Sequence, residues 1–259
     1  MSRPARPLAL ITGATRGIGL AAARMLAARY DLVLTARHEE SLAVTAEDVQ
    51  NFGAQEVSTV ACDLLDADER HDLIETLTSI DPPVQVLVNN AGRADSAPIV
   101  HTDEALWAST IELNLTAPFE LARGLAPIMA DLGWGRIINI ASTAGLKGYR
   151  YTTAYSASKA GLIGLTRALA AELARRGVTV NALCPGFTDT QISADAIEVI
   201  AARTGRSPED AKKSLERFSP MGRLVKPSEV AQMIVYLASD AAASITGAAL
   251  AIDGGEVAL

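Results

Sequence analysis

Short apolar runs recur along the chain and alternate with longer amphipathic segments. In chain order the apolar runs are LALIT, DLVLTA, VSTVACD, VQVLVNN, GRIINIAS, VTVNALCPG and ALAIDGG. Runs that are almost wholly apolar are typical of strands in a parallel sheet, because helices cover both of its faces. The segments between them are rich in Ala and Leu, and this alternation indicates βαβ units. The pattern therefore predicts one doubly wound α/β domain over residues 1–259, with seven parallel strands and helices on both faces.

Residues 188–219 depart from this alternation and form a long, charged excursion. Within it, the motif SPED predicts a helix start, with Ser207 as the N-cap and Pro208 in the first turn. Two short helices here would form a lobe above the sheet, either as an insertion without a role or as a mobile substrate lid. The lobe follows the end of a strand, where open α/β sheets bind their ligands, and this position favours the lid.

The composition narrows the function classes. Hydrophobic residues make up 49% of the 259 residues, aromatic residues only 4%, and the net charge is -7. An acidic chain argues against a nucleic-acid partner, which requires basic patches. The N-terminal MSRPARP lacks a following apolar region with a cleavage site, and no apolar run approaches the ~20 residues of a membrane span. We expect a frayed tail, no membrane association and a cytoplasmic protein.

Cysteines and histidines offer little reactive chemistry. Cys62 and Cys184 lie far apart in apolar runs, so we expect two buried thiols. His38, His71 and His101 stand alone in polar contexts, without metal-ligand spacing, and we expect no metal. His101 could approach a substrate, although a surface position is the more ordinary one.

A strand, a glycine turn and a helix open the chain in ALITGATRGIGLAAARML. Gly13, Gly17 and Gly19 allow the backbone to turn and to approach a ligand closely. The helix that follows points its partly positive N-terminus at a phosphate. In this context the motif predicts a dinucleotide site of the Rossmann type.

The end of the second strand distinguishes the two nicotinamide nucleotides. NAD sites place an acid there for the ribose hydroxyls, whereas NADP sites use arginine for the 2′-phosphate. Here Ala36 stands at the acid position, Arg37 follows it, and Arg16 lies in the glycine turn. Two guanidiniums at one phosphate would make charge-assisted contacts, and this favours NADP(H) over two solvated surface arginines.

Further polar groups follow the third and fourth strands. Asp63 could accept a hydrogen bond from an adenine amino group or cap the next helix. The segment VNNAG, residues 88–92, packs its backbone against a ring, serves as a turn, or does both.

Tyr155 and Lys159 are four residues apart, so on a helix they share one face. Taken alone, such a pair is most often a surface pair. A nearby lysine charge would, however, lower the phenol pKa from about 10. Ser142 ends the strand GRIINIAS, where its hydroxyl could orient a carbonyl.

The chain resembles the classical short-chain dehydrogenase/reductases from end to end. The matching motifs are TGATRGIG, NNAG, ELNLTAPF, INIAS, YSASK, LCPGFTDT and the closing DGG. The resemblance implies a catalytic tetrad with distinct roles. Asn114 would hold a water in a proton relay, Ser142 would polarise the substrate oxygen, and Tyr155 would be the general acid in reduction. Lys159 would lower the Tyr155 pKa and bind the nicotinamide ribose.

The resemblance also implies the cofactor contacts. Pro185 and Gly186 would lie beside the nicotinamide, Thr190 would bond its carboxamide, and Thr188, where an aliphatic residue is more usual, would contact it through the backbone. Family members are typically homotetramers or dimers, and we expect a homotetramer. The full predicted cofactor set is Gly13, Thr15, Arg16, Gly17, Ile18, Gly19, Arg37, Asp63, Leu64, Asn90, Ala91, Gly92, Tyr155, Lys159, Pro185, Gly186, Thr188 and Thr190.

Within the family, the motifs look most like those of 3-oxoacyl-thioester reductases, including ketoreductases of aromatic polyketide synthesis. This implies a β-keto thioester on CoA or on an acyl carrier protein. Users of carrier proteins tend to have basic residues before the GRI strand, but here Asp131 precedes Arg136 with no cation between them. That departure weakens the carrier-protein alternative. Arg175 and Arg176 could still contact an acidic partner or could simply be solvated.

We expect residues 93–98, 143–151 and 188–219 to line the substrate pocket. Lys147 and Arg150 in GLKGYRYTT could meet a carboxylate or a diphosphate, or could pack at a subunit interface. Three functions remain open at this point. The leading one is an NADPH-dependent reductase of 3-oxoacyl thioesters; the others are a dehydrogenase of a cyclic, steroid-like or sugar alcohol and a non-catalytic NADP sensor.

Overall fold

Seven parallel strands form one sheet in a computed structural model that describes residues 6–258. The strands are Leu8–Thr12 (β1), Asp31–Ala36 (β2), Val57–Ala61 (β3), Val84–Asn89 (β4), Gly135–Ile140 (β5), Val178–Pro185 (β6) and Ala249–Ile252 (β7). Their order is β3-β2-β1-β4-β5-β6-β7, and every neighbouring pair is parallel. The chain builds outward from β1 to β3, crosses to β4 and builds outward again. The predicted doubly wound sheet is confirmed.

Helices cover both faces of the sheet. They are Gly17–Leu26 (α1), Glu39–Gln50 (α2), Ala67–Ser79 (α3), Glu104–Ile111 (α4), Ala117–Asp131 (α5), Thr153–Leu173 (α6), Gln191–Thr204 (α7), Pro208–Glu216 (α8) and Pro227–Leu237 (α9). A π-helical turn, Glu112–Thr116, joins α4 to α5. On one face Leu26, Leu42 and Ile234 bring α1, α2 and α9 into one apolar core. On the other face Leu73 and Leu125 belong to the core beneath α3, α5 and α6.

The edge strand β3 departs from the sequence pattern. We predicted strands buried on both faces, and β5 and β6 are buried along their whole length. In β3, however, Ser58 and Thr59 are exposed. An edge strand has a neighbour on one side only, so its polar residues reach solvent. The strand also ends at Ala61, which places Cys62 and Asp63 in the following loop.

The predicted helical lobe is confirmed as α7 and α8. Ser207 is the N-cap of α8, and its hydroxyl accepts a hydrogen bond of 3.1 Å from the Asp210 backbone N–H. Pro208 occupies the first turn, as its missing N–H and fixed φ favour. Ala211 and Leu215 are the buried residues of α8.

Cys62 and Cys184 are buried and unpaired, as predicted. Burial raises the pKa of each to about 11, so both remain protonated thiols near neutral pH. Residues 1–5 of the predicted frayed tail lie outside the described residues, whereas Arg6 donates a hydrogen bond of 2.7 Å to the Ala27 carbonyl. No helix within residues 6–258 is long and apolar enough to cross a membrane.

Candidate active site

The carboxyl ends of the strands meet at one edge of the sheet, and the predicted site residues lie along it. The strand register places Thr12 beside Thr35 and Asn89 beside Asn139. Pro185 lies beside Ile252 in the same way. The loops that follow these residues are therefore neighbours, although they are distant in sequence.

The glycine turn after β1 has the geometry that the sequence predicted. Gly13 and Gly17 have φ values of +63° and +56°, a left-handed conformation that side chains disfavour. Gly19 is required for a different reason, because a Cβ there would lie 2.2 Å from the Gly13 carbonyl oxygen. Thr15 lies in this turn, and Ile18 packs against the core beneath it. The turn therefore places backbone groups without side chains at the start of α1.

The N-terminus of α1 fits a phosphate group. Its N-cap, Arg16, makes no side-chain capping bond, and the first turn of this fully described helix carries no acidic residue. Free N–H groups and the helix dipole together attract an anion. Arg16 and Arg37 are both exposed, and the register of β1 with β2 places their loops side by side. Both guanidiniums are thus accessible to a nucleotide bound at this turn.

The NNAG segment braces the glycine turn. The Asn90 side chain donates to the carbonyl oxygens of Thr12 at 2.8 Å and of Gly13 at 3.1 Å. The Thr12 hydroxyl accepts from the backbone N–H groups of Asn90 and Ala91, each at 2.9 Å. These contacts support the turn alternative for this segment. Gly92, at the end of the segment, lies close to Lys159, because a Cβ at Gly92 would be 3.5 Å from Lys159 Nζ.

The loop after β3 corrects one expectation. Asp66, not Asp63, caps α3 by accepting from the N–H groups of Asp68 and Glu69. The Asp63 carboxylate instead accepts from the Leu65 N–H at 3.0 Å, within its own loop. Helix capping by Asp63 was therefore the wrong alternative. Asp63 and the buried Leu64 remain at the sheet edge beside the end of β2.

Tyr155 and Lys159 lie one turn apart on α6, with Lys159 Nζ 5.8 Å from the centre of the Tyr155 ring. Lys159 is buried and donates a hydrogen bond of 2.8 Å to the carbonyl of Ile140, the last residue of β5. Ser142 follows two residues later and caps a short 3₁₀ turn. The β5 end thus brings Ser142 and Lys159 together with Tyr155.

Burial dominates the electrostatics of this pair. It raises the pKa of Tyr155, and the interaction with Ser142 opposes that shift. It lowers the pKa of Lys159 from 10.5 to about 8. A phenol with a raised pKa keeps its proton near neutral pH, as a group that donates a proton must. The pKa of the Tyr155 phenol is therefore raised, where the sequence predicted that the Lys159 charge would lower it.

Asn114 is fully buried in the π-helical turn and acts there as a brace. Its side-chain amide donates to the Arg93 carbonyl at 2.9 Å and to Ser158 Oγ at 3.1 Å. Its carbonyl oxygen accepts from the Arg93 N–H at 3.0 Å. Both ends of the side chain are therefore committed to the protein, and its predicted contact with a relay water stays a prediction.

The segment after β6 closes the site on its other side. A Cβ at Gly186 would lie 2.9 Å from a Glu256 carboxylate oxygen, so glycine is required for this packing. The Thr188 hydroxyl donates to the Gly186 carbonyl at 2.9 Å, which explains how a polar residue is accommodated at a buried position. The Thr190 side chain packs against the glycine turn, 3.1 Å from a Cβ placed on Gly17. The nucleotide turn and the β6 loop are thus in contact.

Sequence reasoning missed the buried carboxylate of Glu256. Lys147 Nζ lies 3.4 Å from its Oε1 and donates to its backbone carbonyl at 3.0 Å, while the Tyr149 hydroxyl donates to the same carboxylate. Lys147 is therefore paired with a carboxylate of its own chain. Burial and this carboxylate raise the pKa of Tyr149. No local motif marks a contact across 109 residues.

An aromatic cluster connects the predicted pocket segments. The Tyr149 ring lies 6.0 Å from Phe187 and 5.8 Å from Phe218, edge to face in both cases. These residues come from the 143–151 loop, from the segment after β6 and from the end of the lobe. The Ala97 N–H donates to the Tyr151 carbonyl at 2.8 Å and adds the 93–98 segment. The three segments thus border one region.

Residues 13–256 match the family model described as enoyl-(acyl carrier protein) reductase. The chain is a short-chain dehydrogenase/reductase. It is an oxidoreductase of the family that interconverts CH–OH and keto groups. The chain is 41% identical over 251 residues to a protein of Streptomyces coelicolor described as a ketoacyl reductase, covering 96% of each chain.

Two solved structures resemble the chain over nearly its whole length. The first is an actinorhodin polyketide ketoreductase variant with NADPH, at a TM-score of 0.93 and 39% identity, covering 99% of each chain. The second is described as an NAD(P)-dependent gluconate 5-dehydrogenase from Beutenbergia cavernae, at a TM-score of 0.89 and 35% identity. It covers 99% of this chain and 98% of the other.

Proposed function

We propose that the protein is an NADPH-dependent carbonyl reductase that reduces the ketone of a 3-oxoacyl thioester. The observation that carries the proposal is the meeting of Tyr155, Lys159 and Ser142 at the sheet edge, beside an uncapped helix N-terminus suited to a phosphate. Similarity to a ketoacyl reductase and to a polyketide ketoreductase supports the ketone substrate.

Each residue of the reacting end has a role in this proposal. NADPH, when bound, supplies the hydride that the carbonyl carbon receives. Tyr155 donates its phenolic proton to the carbonyl oxygen, so that the product is an alcohol. Ser142 donates a hydrogen bond to the same oxygen while negative charge develops on it. Lys159 holds the ribose of the cofactor, and Asn114 belongs to the relay that returns a proton to Tyr155.

The nucleotide preference rests on two arginines. Arg16 and Arg37 are exposed on adjoining loops, and neither loop offers an acid for a ribose diol. Guanidinium groups bind phosphate in a bidentate manner, which suits the 2′-phosphate of NADP(H). The solved ketoreductase with NADPH supports the same choice.

A second candidate is a dehydrogenase of a sugar acid or a related alcohol. The likeness to a gluconate 5-dehydrogenase favours it, and the same tetrad would serve it.

A homotetramer, one domain over residues 1–259 and a cytoplasmic location also remain predictions.

Tyr155→Phe tests the proposed role of the phenol. The variant keeps the ring but has no proton to donate, so kcat should fall by about 10²–10⁴-fold, while NADPH still binds. Tyr236→Phe is the matched control, because that half-exposed tyrosine lies on α9 and its hydroxyl donates to the Ala241 carbonyl. Retention of wild-type turnover by Tyr155→Phe would refute the assignment.

A further inference from the structure

Arg70 on α3 is a fully buried arginine outside the proposed tetrad. It is 1% exposed, and its guanidinium contacts three segments of the chain. Nη1 donates to the Leu64 carbonyl at 2.7 Å, and Nε donates to the Glu120 carboxylate at 2.7 Å. Nη2 donates to the Glu112 carboxylate. All three nitrogens of this side chain are therefore used.

These three partners belong to different parts of the candidate site. Leu64 lies in the loop after β3, at the predicted adenine end of the cofactor. Glu112 opens the π-helical turn that carries Asn114. Glu120 lies in the first turn of α5, directly after that turn. Arg70 thus contacts the π-helical turn at its start and just beyond its end. It also connects this turn to the loop after β3 that contains Leu64, called here the adenine loop.

Hydrogen bonds continue from the turn to the reacting end. Asn114 donates to Ser158 Oγ at 3.1 Å, and the Ser158 hydroxyl donates to the Tyr155 carbonyl at 2.7 Å. Asn114 also fixes the backbone of Arg93, where the predicted substrate segment begins. A connected set of contacts therefore runs from the Leu64 loop through Arg70 and Asn114 to Tyr155.

Stability alone is a weak reason for this arrangement. Burying a guanidinium costs desolvation energy, and apolar side chains of similar volume are often as stable as a buried ion pair. What an arginine does provide is a rigid fork with fixed donor directions. π-Helical turns are rare and occur frequently at functional sites, so this turn needs firm support.

We infer that Arg70 is a positioning residue, which sets the π-helical turn and Asn114 in register with Tyr155 and joins them to the adenine loop. This inference rests on the proposed function, in which Asn114 and Tyr155 serve one reaction. The residue touches neither substrate nor cofactor and acts through Glu112, Glu120 and Leu64.

Arg70→Met tests the inference through two readouts. A misplaced functional group costs about 10- to 100-fold in rate, so kcat of the folded variant should fall by that factor. Amide hydrogen exchange of residues 112–116, followed by mass spectrometry without any cofactor, should become faster. The matched control is Arg136→Met, because Arg136 is also buried and paired with Asp240, but at the start of β5, away from the site. That control should lower stability without changing kcat.

A triple variant separates positioning from mere stability. Arg70→Met leaves the Glu112 and Glu120 carboxylates without the cation that both of them bind. Replacing Glu112 and Glu120 with glutamine in the same chain removes that repulsion and should restore the thermal midpoint, but not kcat. Arg70→Lys, which keeps the charge but not the fork, provides a milder variant if the triple variant fails to fold, and its kcat should fall between wild type and Arg70→Met.

Several results would overturn the inference. It fails if kcat recovers together with stability in the triple variant, if Arg70→Lys turns over like wild type, or if exchange at residues 112–116 is unchanged in Arg70→Met. Failure of the proposed function is recognised separately, as wild-type protein that reduces no carbonyl. The exchange measurement then still decides whether Arg70 holds the turn.

Discussion

Lys159→Met should make the protein more stable at neutral pH while abolishing its activity. Burial lowers the pKa of Lys159 from 10.5 to about 8. At about 1.4 kcal/mol per pH unit, the buried charge opposes folding by about 3 kcal/mol at pH values below 8. Methionine has similar length and no charge, but it leaves the Ile140 carbonyl without its partner, a loss of about 1 kcal/mol. The net gain at pH 7 is therefore about 2 kcal/mol.

The sign of the pH dependence follows from linkage. Below pH 8 the lysine is charged in both states, so the folded protein carries the full cost of burial. Between about pH 8 and 10.5 the folded state loses its proton first, and the cost is relieved. The stability advantage of Lys159→Met should thus shrink as the pH rises through this range.

Urea unfolding, followed by circular dichroism at pH 7 and at pH 10, measures this difference directly. Lys212→Met is the control, because its side chain is 48% exposed and its pairing with Glu216 is loose at 3.8 Å. That control should change stability little at either pH. The reasoning is refuted if Lys159→Met is less stable than wild type at pH 7, or if the difference between them does not vary with pH.

Three further predictions concern the nucleotide end and the lobe. Arg37→Asp should shift the preference from NADPH towards NADH, measured as the ratio of kcat/KM values; unchanged NADPH affinity would contradict the assignment. Gly19→Ala should destabilise the protein by about 1–3 kcal/mol, since its Cβ would meet the Gly13 carbonyl oxygen at 2.2 Å. Gly164→Ala in α6 is its control, because nothing lies within 4 Å of a Cβ there, and thermal unfolding should show a gain of about 0.5–1 kcal/mol. Closure of the α7–α8 lobe over bound ligands should slow its cleavage by trypsin, and equal cleavage with and without NADPH and substrate would argue against a lid.

The features that sequence predicted well are those fixed by short segments. The inner strands, the glycine turn and the Ser207 cap each depend on a few consecutive residues and on general geometry. The spacing of Tyr155 and Lys159 likewise places both on one helix face. Even here the sequence misjudged the edge strand β3, because position in the sheet, rather than composition, decides which strand meets solvent.

The features that sequence missed depend on contacts between distant segments. Glu256 pairs with Lys147 across 109 residues, and Arg70 reaches Glu112 and Glu120 across 42 and 50 residues. No local sequence motif predicts these distant partners of Lys147 and Arg70. Burial is equally invisible in a motif, and burial raises the pKa of Tyr155 where charge alone predicted a lower one.

Turnover of acetoacetyl-CoA with NADPH, beside a panel of free ketones and 5-ketogluconate, tests the central proposal most directly. NADPH oxidation at 340 nm gives kcat/KM for each substrate, and Tyr155→Phe gives the background rate. The proposal predicts that the thioester has the highest kcat/KM and that the variant loses it. Turnover confined to free ketones or to the sugar acid would contradict the thioester assignment.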